Sequence, residues 1–72
     1  MIVYDPFWKT IKEKNISTYY LIHTCKINSN TITRIRKGKA LTTLTINDIC
    51  RALNCKVEDV MQYIPSEDDQ KL

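Results

Sequence analysis

An all-α fold of five short helices is the class this sequence predicts, and three observations predict it. Apolar residues recur at helical steps of three and four along most of the chain. Capping residues stand ahead of four of these runs: Asp5, Ser17, Asn28 or Ser29, and Thr42. The one Gly and both Pro fall at the ends of runs, never inside them.

Helix 1 starts at Asp5-Pro6, where Asp accepts from orphan amides and Pro loses no needed donor. Phe7, Trp8 and Ile11 give it an apolar side, and Asn15, which tolerates the left-handed conformation, ends it. Ser17 caps helix 2, which runs to about Thr24 with Leu21, Ile22 and Cys25 inward. After a break at Lys26-Ile27, helix 3 runs to Lys37 and stops at Gly38; its only apolar positions are Ile32 and Ile35. Thr42 caps helix 4, which carries Leu44, Ile46, Ile49, Cys50 and Leu53 to Asn54. Helix 5 holds Val57, Val60 and Met61 and ends before Pro65, although Lys56 is a poor cap for it. Trp8, Leu21, Ile32, Ile35, Ile46, Ile49, Leu53 and Val60 are the expected core, with Tyr19 and Tyr20 core or partly buried. Ile2-Val3-Tyr4 and Tyr63-Ile64 are able to pair as a two-stranded ribbon joining the termini.

Seventy-two residues make one domain, because a chain this short buries only roughly 60% of its unfolded surface on folding. Residues 1–65 are read as that domain and residues 66–72 as an acidic, disordered tail. With 43% hydrophobic and 26% charged residues the composition is that of a globular chain. No apolar run approaches the roughly 20 residues of a membrane span. The opening Met1 to Pro6 lacks a basic region before an apolar stretch, so a cytoplasmic location is expected.

The net charge of +3 is unevenly spread. Residues 1–13 balance at zero, residues 14–47 carry six Lys or Arg and no acid, and the remainder sums to −3. Such a basic middle suits an anion-binding face, and an unevenly charged solvated surface is the alternative. Three cysteines, Cys25, Cys50 and Cys55, cannot all pair within one chain, and a cytosolic setting keeps them reduced. A zinc site using His23 would rest on Cys50 and Cys55, whose four intervening residues are the loosest limit of a ligand pair and whose first member lies within an expected helix, so core packing is the reading for the thiols and no metal or other cofactor is expected. One His, no acid pair at a cleft and no Gly-rich phosphate loop leave nothing from which to assemble an enzyme.

Between Thr18 and Arg36 the apolar positions Leu21, Ile22, Cys25, Ile27, Ile32 and Ile35 have the spacing of a tight helix-turn-helix, with Ile27 plugged between the two helices. Its second helix has only two large apolar residues and seven polar groups. Such a helix is displayed more than packed. On this register, on Arg36-Lys37-Gly38-Lys39 and on Ile46 to Cys55, the chain resembles the Cro and phage-repressor type, or xenobiotic-response-element-like, helix-turn-helix regulators over roughly residues 5–64. The opening Tyr4-Asp5-Pro6-Phe7-Trp8-Lys9 is similar to small members from prophages, mobile elements and bacterial chromosomes.

The resemblance implies a compact lambda-repressor-like domain that binds double-stranded DNA and regulates transcription, as a repressor, with the helix of about residues 28–37 in the major groove. Carried over position by position, Ser29, Asn30, Thr31, Thr33 and Arg34 face the groove, while Thr18, Lys37 and Lys39 bond phosphates. Capping is the alternative role for Ser29 and Asn30, and plain solvation for Lys39. Three departures stand out: Thr18 where the family carries Gln, Ile22 where it often has Ala, and Lys26 where a Gly takes positive φ. A module on the same fold that binds protein and not DNA, such as an antitoxin, antirepressor or assembly factor, is the competing function. A homodimer, at least on DNA, is expected, because one unit touches too few base pairs to select an address. The expected pairing surface is Val57, Val60, Met61, Tyr63 and Ile64 with Ile2 and Tyr4, at the end away from the basic face. Neither a membrane nor a small-molecule ligand is expected as a partner.

Overall fold

The computed structural model describes residues 1–69. In chain order it comprises β1 (Ile2–Val3), α1 (Asp5–Glu13), α2 (Thr18–His23), α3 (Ser29–Arg36), α4 (Thr43–Leu53), a single 3-10 turn (Val57–Asp59) and β2 (Gln62–Tyr63). Four α-helices therefore stand where five were expected. The sequence around Lys56 explains the shortfall. Lys56 offers no side-chain acceptor, and the turn is instead closed by Asp59, whose carboxylate accepts from the Lys56 amide at 3.0 Å. Val60 then drops fully into the core and the chain turns away as β2.

The ribbon forms: Ile2 pairs with Tyr63 and Val3 with Gln62, antiparallel. Beyond it the Ile64 amide donates to the Met1 carbonyl at 2.8 Å. The Asp69 carboxylate accepts from the Met1 ammonium and from the Tyr63 hydroxyl, at 2.9 and 3.0 Å. Of the expected acidic tail, residues 70–72 lie outside the described residues.

Each helix starts and stops for a local reason. Ser17, Asn28 and Thr42 cap α2, α3 and α4 by accepting from the amides of Tyr20, Asn30 and Thr45. Asp5 is not the cap of α1; Tyr4 holds that position, and Asp5 lies in the first turn, where its charge meets the positive end of the helix dipole. All four helices then end alike. A residue at positive φ reverses the chain (Asn15 at 56°, Lys26 at 62°, Gly38 at 70°, Asn54 at 51°). The next amide donates back to a carbonyl in the last turn: Ile16 to Ile11, Ile27 to Leu21, Lys39 to Arg34, Cys55 to Cys50. Three of these pairs are apolar and help close the core. Lys39 with Arg34 is polar and exposed.

The core is one cluster: Tyr4, Phe7, Ile11, Leu21, Ile27, Ile32, Ile35, Ile46, Ile49, Leu53 and Val60. Trp8 is not in it. Phe7 and Ile11, four apart, define the buried stripe of α1, so Trp8 sits about 100° round the helix, half-buried and edge-on to Phe7 at 5.0 Å. Tyr19 and Tyr20 are also outside, at 70% and 45% exposure, because the six-residue α2 buries only Leu21. The three thiols are free and half-buried at the margin of the core. Among the described residues no helix is long and apolar enough to cross a membrane, and no group of three His, Cys, Asp or Glu could hold a metal ion.

Candidate nucleic-acid interface

The helix α3 buries Ile32 and Ile35 and nothing else. At about 100° per residue these two fix the inward direction, and Thr33, Lys37, Asn30 and Arg34 occupy the opposite arc. All four are exposed. Ser29 lies toward one flank, while Thr31 lies toward the other, half-buried and beside Thr45, Asp48 and Arg51 of α4. Asn28 does the capping of α3, so the Ser29 and Asn30 side chains are not spent on it. The Thr33 hydroxyl donates back to the Ser29 carbonyl at 3.2 Å, which leaves its acceptor capacity free. Thr18 is the first residue of α2 and half-buried.

Arg34 is held. Its Nε donates to the carbonyl of Ala40 at 2.9 Å, so the guanidinium is drawn along the loop between α3 and α4 and its two terminal nitrogens remain available. Lys39, exposed, follows directly in that loop. Arg36, part of the basic stretch that carries the resemblance, was not among the expected DNA contacts. Its guanidinium lies over the Trp8 ring, 5.5 Å from the centroid, a cation–π contact that ties α1 to the last turn of α3. The register between two helices 28 residues apart along the chain leaves no local trace in sequence, so no pattern could have announced it.

All six basic residues of the middle segment are exposed, and among the described residues none is ion-paired. They do not share one face. Lys14 stands with Glu13, Cys55 and Asp59 at the end of α1, and Lys26 stands with Asp48 and Arg51. Arg34, Lys37 and Lys39 remain exposed on α3 and the loop that follows it, with Arg36 turned toward Trp8 of α1. Four of the eight acids lie elsewhere: Asp5, Glu13, Glu58 and Asp59, with Lys9 among them, surround one depression between α1 and the 3-10 turn, to which α3 contributes nothing.

A displayed helix, two isoleucines deep and followed by an unpaired basic loop, is what the helix-turn-helix register predicted. A family model for the Cro/C1-type HTH DNA-binding domain matches residues 7–66. The chain belongs to this Cro/C1-type family. The Cro/C1-type domain is similar in structure to the transcriptional regulator VanUg, Form II, with a TM-score of 0.80 at 20% identity over 90% of this chain and 87% of that one. At that identity the likeness is one of fold. No curated protein matches it.

Membership gives Lys26 its meaning, since the φ of 62° is that of the expected glycine position. The apolar end of the Cro/C1-type domain differs from expectation in two respects. Tyr4 and Val60 are buried and cannot serve a partner, which leaves Ile2, Val57, Tyr63 and Ile64 exposed with Met61 half-buried. Nor is this end remote from the basic loop. Met1 and Ile2 share a depression with Lys39, Ala40 and Leu41.

Proposed function

We propose that the protein is a sequence-specific, DNA-binding transcriptional repressor that inserts α3 into the major groove. The observation that carries the reading is the outward arc of α3, where Asn30, Thr33, Arg34 and Lys37 are exposed on a helix that buries only two residues. Their chemistry fits base edges and phosphates. The terminal nitrogens of Arg34 match guanine O6 and N7, the Asn30 amide matches adenine N6 and N7, and Thr33 offers a methyl to thymine. Ser29 and Thr31 reach the groove from the flanks. Lys37 and Lys39, with Thr18 at the start of α2, bond phosphates, which fix register without reading sequence. A bound domain of this kind represses by occupying its site.

The active form on DNA is a homodimer, since two half-sites supply the selectivity that one recognition helix lacks. The pairing surface is Ile2, Val57, Met61, Tyr63 and, beside them, Ile64; the first four line one shallow depression. In that arrangement the two recognition helices lie ~34 Å apart, one turn of duplex.

Selection of bound duplexes from a random library, followed by footprinting, tests the reading. The expected product is a two-fold site whose half-sites are centred about 10 base pairs apart. Arg34→Ala is expected to flatten preference at one base pair of each half-site by ~1–3 kcal/mol. Failure to enrich any sequence would favour the protein-binding module instead.

A further inference from the structure

We propose that Tyr4 is a positioning residue for Arg34, acting through the backbone of Lys39 and Ala40; the proposal rests on the DNA-binding reading above and names what makes it sequence-specific. Tyr4 lies just ahead of α1, 35 residues from the loop it touches, and its ring is part of the core. From there its hydroxyl donates to the Lys39 carbonyl at 2.7 Å. The next carbonyl along, that of Ala40, accepts from Arg34 Nε at 2.9 Å. The Lys39 amide in turn donates to the Arg34 carbonyl at 2.8 Å. Two successive peptides are thus gripped from the interior by Tyr4 and from the surface by Arg34, and the loop can carry the arginine only in the place where Tyr4 holds the loop.

The consequence concerns the state of Arg34 before DNA arrives. An arginine in water loses rotamer entropy when it is fixed against a base, and fixing it beforehand removes that cost from the binding step. With Nε already bonded to the Ala40 carbonyl, the two terminal nitrogens are left for an end-on bidentate contact with guanine. Burial holds the Tyr4 phenol above its usual range, the Arg34 charge lowering it in part, and Tyr4 remains a donor at neutral pH. Its other role, filling the core, needs only the ring.

Tyr4→Phe separates the two roles, because phenylalanine fills the core and lacks the hydroxyl. Binding of the wild type and Tyr4→Phe is measured by fluorescence anisotropy on the selected duplex and on a scrambled one, alone and in an Arg34→Lys background that keeps the charge and lacks Nε. The expected result is a fall of about three- to tenfold in the ratio of the two affinities. Affinity for the scrambled duplex is unchanged, and Tyr4→Phe has no further effect on Arg34→Lys. In the absence of DNA, the Arg34 Nε–H proton is expected to exchange slowly in nitrogen-edited NMR spectra of the wild type and fast in Tyr4→Phe. Equal weakening on both duplexes, or an unchanged ratio, would overturn the positioning role while leaving DNA binding intact. A wild type that binds neither duplex, with its Nε–H still protected, would overturn the DNA reading, and the role assigned to Tyr4 with it.

Discussion

The Ile27 amide donates to the Leu21 carbonyl at 3.0 Å across a lysine, Lys26, held at φ 62°. This bond closes α2 and drops Ile27 into the core as the plug between the two helices of the motif. A lysine in the left-handed region costs about 1–2 kcal/mol relative to glycine, in which no Cβ meets the following carbonyl oxygen.

Lys26→Gly is therefore expected to stabilise the domain, by about 1 kcal/mol once the greater freedom of glycine in the unfolded chain is offset. For a domain of this size that is a rise in Tm of roughly 4–8 °C. Thermal melts followed by circular dichroism check it. A lower Tm for the glycine variant would mean that the lysine makes contacts outweighing the strain.

Ile35 and Ile32 are the two side chains that anchor α3 to the core, each 2% exposed. Ile35→Ala should cost ~2–5 kcal/mol, most of the stability of so small a domain. In urea, the midpoint should fall sharply or the folded baseline disappear. An unchanged midpoint would show that α3 is not held from beneath as described.

The thiol of Cys55 is held up at about 11, first by burial and then by its neighbours Cys50 and Asp59. Folding thus disfavours the thiolate. Between the ordinary value of 9.0 and about 11 the unfolded chain releases the proton and the native one keeps it, so this group loses stabilising effect as pH rises through that window. At pH 8 native Cys55 therefore stays a thiol, the poorly nucleophilic form. Mass spectrometry after brief iodoacetamide treatment should find Cys55 unmodified in the folded protein and alkylated in urea. Rapid labelling of native Cys55 would contradict the packing described for the end of α4.

What could be read from sequence was whatever a few adjacent residues decide. The caps Ser17, Asn28 and Thr42 and the reversals at Asn15 and Gly38 each rest on local chemistry, and so does the two-isoleucine face of α3. Choices between neighbours were harder. Phe7 and Trp8 are both large and aromatic, and only the position of Ile11 one turn on selects Phe7 for the core. The helical spacing of Tyr19 and Tyr20 reads as core or partly buried, but a helix of fewer than two turns has one inward position and Leu21 takes it. Tyr19 stacks instead on His23, one turn along, at 4.1 Å. The contacts that shape the candidate interface, Tyr4 with Lys39 and Arg36 with Trp8, join segments 28 or more residues apart. Tertiary packing alone brings them together.

Binding of duplex DNA by the basic arc of α3 and its loop has its sharpest signature in the salt dependence of the affinity. With several phosphates neutralised per subunit, log K should fall linearly with log salt at about −0.9 per phosphate contacted. Lys37→Ala should make that slope shallower by about one and weaken all sequences alike. An affinity that does not change between dilute and physiological salt, or a slope indifferent to Lys37, would contradict it.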